Sequence, residues 1–278
     1  MAMRRRFMQD SRIDVNRYLT FVARENNTSV SLINTNLNTY GFSDIQYSIN
    51  GEHLIKGNVD NIIINSGETL SVKATYHAPL FITSAVVISK PVDVIGTISS
   101  IFASANNYRC IFCRTSIVDA SLLSLPATTL TDECYDSMFS GCSSLTAAPE
   151  LPATTLANYC YSDMFNGCTS LTTAPALPAT TLASSCYSNM FNGCTSLTTA
   201  PELPATTLKV SCYSHMFRGC SKLNHIKMLA TNISASNCLT NWVQNVSSTG
   251  TFVKHPNMTS LPTGISGIPS GWTVINNS

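Results

Sequence analysis

Between residues 125 and 228 one hydrophobic–polar phrase recurs four times, each copy opening LPATTL at Leu125, Leu151, Leu177 and Leu203. The period is 26 residues, and the second and third copies differ only at Asn158/Ser184, Tyr159/Ser185, Asp163/Asn189 and Ala176/Glu202. A unit this short cannot bury its own apolar side, so each copy must stack on its neighbours around one continuous core. The pattern predicts a solenoid.

Within a copy, Leu130, Cys134 and Met138 fall at i, i+4 and i+8 with Phe139 beside them, a spacing that predicts one inward helix face. Thr129 stands where an N-cap hydroxyl would sit. Gly141, repeated as Gly167, Gly193 and Gly219, stands where a left-handed residue would end the helix. Beyond it, Leu145, Thr146 and Pro149 leave room for one short strand per coil, because proline cannot donate to a ladder. Leu145, Leu171 and Leu197 are expected to be buried in register. With about 5 Å of rise per coil, about five to six coils would make a rod roughly 25 to 30 Å long.

Both flanks of the array decay, as terminal coils of a solenoid do. Upstream, Tyr108, Phe112, Ile117 and Ala120 read as a copy with one residue missing. Downstream, Leu229, Cys238, Trp242 and Val243 take the places of Leu, Cys, Met and Phe. The tail, with Pro256, Pro262, Pro269 and Trp272, reads as an irregular β cap.

The N-terminal third carries a different period. Short β-rich runs, RYLTFVA, IQYSI, NIIIN, TLSVKATY and FITSAVVIS, are separated by turn signals, and Asn50-Gly51 is the strongest hairpin cue in the chain. The expected division is a basic arm over 1–16, a small antiparallel β domain over 17–92, the solenoid over 93–250 and the cap over 251–278.

Charged residues are 11% of the 278 and the net charge is +1, so no overall field points to nucleic acid. The longest apolar stretch, around Leu80 to Ile88, is interrupted by Thr83 and Ser84, which predicts no membrane insertion. The arm holds Arg4, Arg5, Arg6 and Arg12 with Phe7 and Met8 but no apolar run, so Sec export of the chain as written is not expected. It reads either as a docking arm or as a solubilising tail.

Eleven cysteines could suggest a disulfide framework, yet all but Cys113 fall in or near repeat phase, as in Cys134, Cys160, Cys186, Cys212, Cys238 and Cys142, Cys168, Cys194, Cys220. Within one coil the two are eight residues apart, too far to bridge across a helix. Stacked buried thiols are expected. Cys110 and Cys113 form the only CxxC, with no second pair to complete a zinc site. The histidines are scattered, Asp132-Glu133 is not repeated, and no nucleophile, phosphate-loop or metal motif appears. Neither enzymatic activity nor a cofactor is expected.

The phrase CYSxMFxGCxSLTxAPxLPATTL closely resembles the BspA-like leucine-rich repeat of bacterial surface proteins and of structural proteins from phages of gut Bacteroidales; the match runs from residue 108 to about 250. What this resemblance implies is a mixed α/β leucine-rich-repeat solenoid, preceded here by the small antiparallel all-β domain, acting as a non-enzymatic scaffold. It implies a virion fibre or decorating protein; docking to other virion proteins is expected through the β domain and the arm, whose Arg4, Arg5, Arg6, Phe7 and Arg12 stand out in a charge-poor chain. The alternative is a bacterial cell-surface adhesin. A homo-oligomer is expected. Thr146, Thr172 and Thr198 would form a uniform ladder suited to a glycan or host surface protein, or would simply be good β formers facing water.

Overall fold

The computed structural model describes residues 17–32, 41–77, 85–103 and 107–278. Among these residues thirteen strands follow one another in chain order: β1 (Leu19–Ala23), β2 (Thr28–Leu32), β3 (Gly41–Ile49), β4 (Ile55–Lys56), β5 (Ile62–Ile64), β6 (Thr69–His77), β7 (Val86–Ile88), β8 (Val92–Thr97), β9 (Ile101–Ala103), β10 (Ile117–Ser124), β11 (His225–Met228), β12 (Thr251–Lys254) and β13 (Thr273–Asn276).

The N-terminal strands form a seven-stranded sheet in the order β10-β8-β1-β6-β3-β4, with β9 beside β6, and a three-stranded sheet β5-β2-β7. Asn50 and Gly51 both take positive φ, 53° and 72°, and turn β3 back towards β4 as the Asn-Gly cue predicts. The strand they deliver is short, and β3 makes its long pairing with β6 instead. All five residues of β1 are buried. Phe21 on this strand meets Phe112 of the first coil edge to face, ring centroids 6.4 Å apart.

From β8 onward the chain winds as a β-solenoid of about seven turns. Its rungs are parallel: β10 on β8, then bridges Asp119–Ala147, Thr173–Thr199 and Thr199–His225, then β11 on β12 and β12 on β13. The sheet is thus continuous across residue 92, because β8 pairs with β1 on one edge and with β10 on the other. At the far end the tail supplies two further parallel rungs rather than an irregular closure.

The half-coil read as a helix contains no α-helix, which overturns the mixed α/β reading. It is a train of overlapping β-turns in which successive amides point alternately along the rod and within the coil. Glu133, Tyr135, Ser137, Phe139 and Gly141 donate their N–H to Asn158, Cys160, Ser162, Met164 and Asn166 of the next coil at 2.7–2.9 Å. The intervening Cys134, Asp136, Met138, Ser140 and Cys142 donate to the residue three back at 3.0–3.3 Å. Every backbone donor in the train is satisfied, half of them by a neighbouring coil, where an α-helix would spend them all internally. A left-handed residue recurs every fourth position: Glu133, Ser137 and Gly141 have φ of 57°, 57° and 76°, and Tyr159, Asp163 and Gly167 repeat the set. Gly141 is therefore left-handed as expected, but it is the third such residue of a coil and not a helix stop. Thr129 caps nothing; it bridges Thr155.

The winding period explains the misreading. Buried apolar residues come in pairs four apart, Cys134-Tyr135 and Met138-Phe139, then Cys142. An α-helix advances 3.6 residues per turn, so a strict four-residue spacing would drift about 40° per turn around it. The turn train has a period of four and keeps all of them inward.

The core is two columns of stacked rings. Tyr108, Tyr135, Tyr161, Tyr187 and Tyr213 stand 5.7–6.1 Å apart, and Phe112, Phe139, Phe165, Phe191 and Phe217 stand 5.4–5.7 Å apart. Trp242 occupies the methionine position of its coil, because Phe217 donates to its carbonyl as Phe191 does to Met216. It touches both Tyr213 and Phe217 and so closes both columns. Leu145, Leu171 and Leu197 are fully buried in register. In the last decayed copy, Met228 rather than Leu229 pairs with Leu203 and is buried.

Candidate ligand-binding face

The rings and thiols fill the interior, and the outward surface carries hydroxyls and amides beside the repeat's prolines and a few variable side chains. Thr146, Thr172 and Thr198 are all exposed, at one position of three successive coils. The Thr146 amide and hydroxyl both donate to the Val118 carbonyl, at 2.8 and 2.9 Å. The Thr198 carbonyl accepts the Asn224 amide at 2.9 Å. The column thus runs from β10 through three threonines to the start of β11. It is neutral and periodic, with hydroxyls at about the 5 Å spacing of stacked strands.

A second threonine surface went unread in the sequence, because Thr129 and its equivalents were assigned to helix caps. Thr128-Thr129, Thr154-Thr155, Thr180-Thr181 and Thr206-Thr207 are all exposed. Parallel bridges join Thr129 to Thr155, Thr155 to Thr181 and Thr207 to Asn232. Side-chain acceptors tie the adjacent corner together: Asn158 N–H donates to Asp132 Oδ1 at 2.9 Å, and Ser184 N–H to Asn158 Oδ1 at 3.2 Å. The most exposed apolar groups on this variable edge are Tyr159 and Val210.

At the first coil, Arg109 joins two carboxylates. Its Nε lies 2.9 Å from Asp136 Oδ2 and its Nη1 3.3 Å from Glu133 Oε2. Asp136 fills the place held by Ser162, Ser188 and Ser214 in later coils, and it is buried. Burial pushes its carboxyl up to about 6, with the Arg109 guanidinium and the Ser137 hydroxyl pulling in the opposite direction. No spacing rule reveals this pair, since Arg109 belongs to the decayed copy. Nearby, a half-open pocket of about 330 Å³ is lined by Ile98, Tyr108, Pro126, Thr131, Cys134 and Tyr135.

Nine cysteines are buried free thiols, as the repeat phase predicts. Cys110 and Cys113 are joined as a disulfide within the first coil. Cys110 stands in the left-handed Ser137 position, φ 56°, and outside both thiol ladders. Among the described residues no cluster of three or more His, Cys, Asp or Glu could hold a metal ion, and no helix is long and apolar enough to cross a membrane. Arg4, Arg5, Arg6, Phe7 and Arg12 lie outside the described residues. No protein-family model, curated protein or solved structure matches the chain.

Proposed function

We propose that this chain is a non-enzymatic display scaffold of the BspA-like leucine-rich-repeat kind, carried on a phage virion, that docks through its N-terminal region and presents the solenoid to a host surface or glycan. The observation that carries the reading is the segregation of chemistry. Thiols and the column of Tyr135, Tyr161, Tyr187 and Tyr213 stand inside the rod, while threonines in register face outward on two sides. Neutral hydroxyls at a fixed spacing suit a neutral, repetitive ligand, and polar contacts of this type give orientation and specificity at modest affinity.

The docking half of the proposal rests on the arginine-rich arm and its contrast with a charge-poor chain. Mass spectrometry of purified particles tests location: the protein should co-purify with virions, and a chain lacking residues 2 to 16 should fold but no longer be incorporated. Recovery on bacterial cell surfaces instead would favour an adhesin. Glycan-array binding tests the face, with Thr172→Lys and Thr198→Lys expected to abolish it; binding that survives both removes this column as the site.

A further inference from the structure

The two ends of the parallel ladder are finished differently. At the start, β8 is paired on both edges, by β1 and by β10. At the other end β13 pairs only with β12, and no described strand lies beyond it. All four of its residues are exposed, including the successive apolar pair Val274 and Ile275 at 42% and 46%. Successive residues point to opposite faces of a strand, so both faces of β13 are uncovered.

The hydrogen-bonding groups of this edge can be assigned. Thr273 donates to Gly250 at 2.9 Å and Asn277 to Lys254 at 2.7 Å, in a parallel register that pairs Ile275 with Val253. By strand alternation, residues 273, 275 and 277 turn their amides and carbonyls toward β12. Val274 and Asn276 therefore turn theirs outward. An unpaired edge is usually guarded by charge, proline or a bulge. The sequence Thr-Val-Ile-Asn has none of these.

We propose that β13 is a homodimer interface, in which the β13 strands of two copies pair antiparallel about a twofold axis at Ile275. The argument for a second copy is self-complementarity. The two outward residues flank Ile275 symmetrically, so an antiparallel copy sets Val274 opposite Asn276 twice over and satisfies all their outward N–H and C=O groups. The two Ile275 side chains then meet as a directly opposed, non-hydrogen-bonded pair, about 4.5 Å apart at Cα. No charge on the strand opposes its own image, and an isologous patch of this kind closes at two subunits. The product is a six-stranded sheet, β11-β12-β13 continued into its symmetry mate.

Sedimentation velocity on the full chain at micromolar concentrations tests this. The wild type should sediment as a dimer. Val274→Pro deletes an outward amide without touching any bond to β12, and Ile275→Lys places two like charges across the axis. Each should weaken association by about tenfold or more while leaving the melting temperature of the solenoid unchanged. Ile275→Cys should give a disulfide-linked dimer in air, since every other thiol is buried or bridged. A wild type that stays monomeric, or a dimer that Val274→Pro and Ile275→Lys leave intact, overturns the proposal.

Discussion

The thiol of Cys168 donates to the carbonyl of Phe139, one coil upstream, at 3.2 Å. The same bond recurs from Cys142 to Phe112, Cys194 to Phe165 and Cys220 to Phe191. Each phenylalanine carbonyl already accepts the amide three residues on, so the thiol takes its second lone pair. Small enough to fit between coils and able to donate, cysteine suits this position; in the first coil Thr115 stands there instead, and its hydroxyl donates within its own coil, to the Phe112 carbonyl at 2.7 Å.

Buried this way, the thiols should be chemically silent. Burial pushes Cys142 up to about 11 and Cys160, Cys212 and Cys220 up to about 12, from an ordinary value of 9.0. Native protein at pH 8 should therefore show no reaction with an aromatic disulfide reagent, and denatured protein should titrate nine thiols. Linkage gives a second readout. With folded values raised, the unfolded chain ionises first, so this stability is intact below about pH 9 and is lost as pH rises towards 12. A melting temperature flat between pH 8 and pH 11 would contradict it.

Asp136 makes a prediction at the acid side. Its folded carboxyl stands near 6 against an ordinary 3.8, so the protonated form is the one the fold prefers. Its contribution is greatest below about pH 4 and is lost as pH rises through 6. The melting temperature should thus climb as pH falls from 7 to 5. Asp136→Ser, the residue its position holds in three later coils, should remove that slope and gain about 1 to 3 kcal/mol at pH 7. A slope unchanged by the substitution would assign it to another group.

The repeat register, the inward column of Leu145, Leu171 and Leu197 and the thiol ladders were all legible in the sequence, because each is written at a 26-residue spacing. The path of the backbone was not. A spacing of four between Cys134 and Met138 satisfies a helix locally, and only the strict repetition of that spacing by whole pairs, Cys134-Tyr135 and Met138-Phe139, betrays a different winding. The junction at β8 was hidden too, since a strand of Val92–Thr97 pairs with residues more than twenty positions away and shows no local turn signal. Of the candidate site, Thr146, Thr172 and Thr198 were visible as a ladder. The longer surface that includes Thr128, Thr154, Thr180 and Thr206 was masked by its reading as helix caps.

Inside and outside can be separated by one pair of variants in the same coil. Phe165 is fully buried between Phe139 and Phe191, so Phe165→Ala should cost about 3 to 5 kcal/mol. Asp163 is half-buried, accepting from Asn166 at 2.7 Å and from Ser162 at 3.0 Å. Asn189 holds the same left-handed geometry one coil on, so Asp163→Asn should stay within about 0.5 kcal/mol of wild type. Urea unfolding measures both.

The tyrosine column carries a cost that phenylalanine would remove. The hydroxyls of Tyr161 and Tyr187 are buried and find no hydrogen-bond partner among the described residues. An unsatisfied buried hydroxyl costs about 1 to 3 kcal/mol, whereas the ring beneath it is well stacked. Tyr161→Phe and Tyr187→Phe should therefore be neutral or stabilising by up to about 1 kcal/mol each. Destabilisation of either beyond that amount would mean that the hydroxyl has a partner, such as an enclosed water.

The turn train itself can be tested through its left-handed positions. A Cβ built on Gly167 would lie 3.6 Å from Gly141 Cα, an ordinary contact, so Gly167→Ala meets no steric block and costs only what φ +75° imposes, about 1 to 2 kcal/mol. Tyr159 sits at φ 56° and is 49% exposed, an unfavourable backbone geometry for a bulky side chain with little packing to offset it. Asparagine holds the equivalent place at Asn237 with φ 58° and tolerates this region better. Tyr159→Asn should therefore raise stability by a few tenths to about 1 kcal/mol, measured as a shift in the urea midpoint at constant slope. If the half-coil were α-helical, Gly167 would be the left-handed residue closing the helix and Gly167→Ala would cost as much, whereas Tyr159→Asn would bring no gain, so the sign of the Tyr159→Asn change decides between the windings.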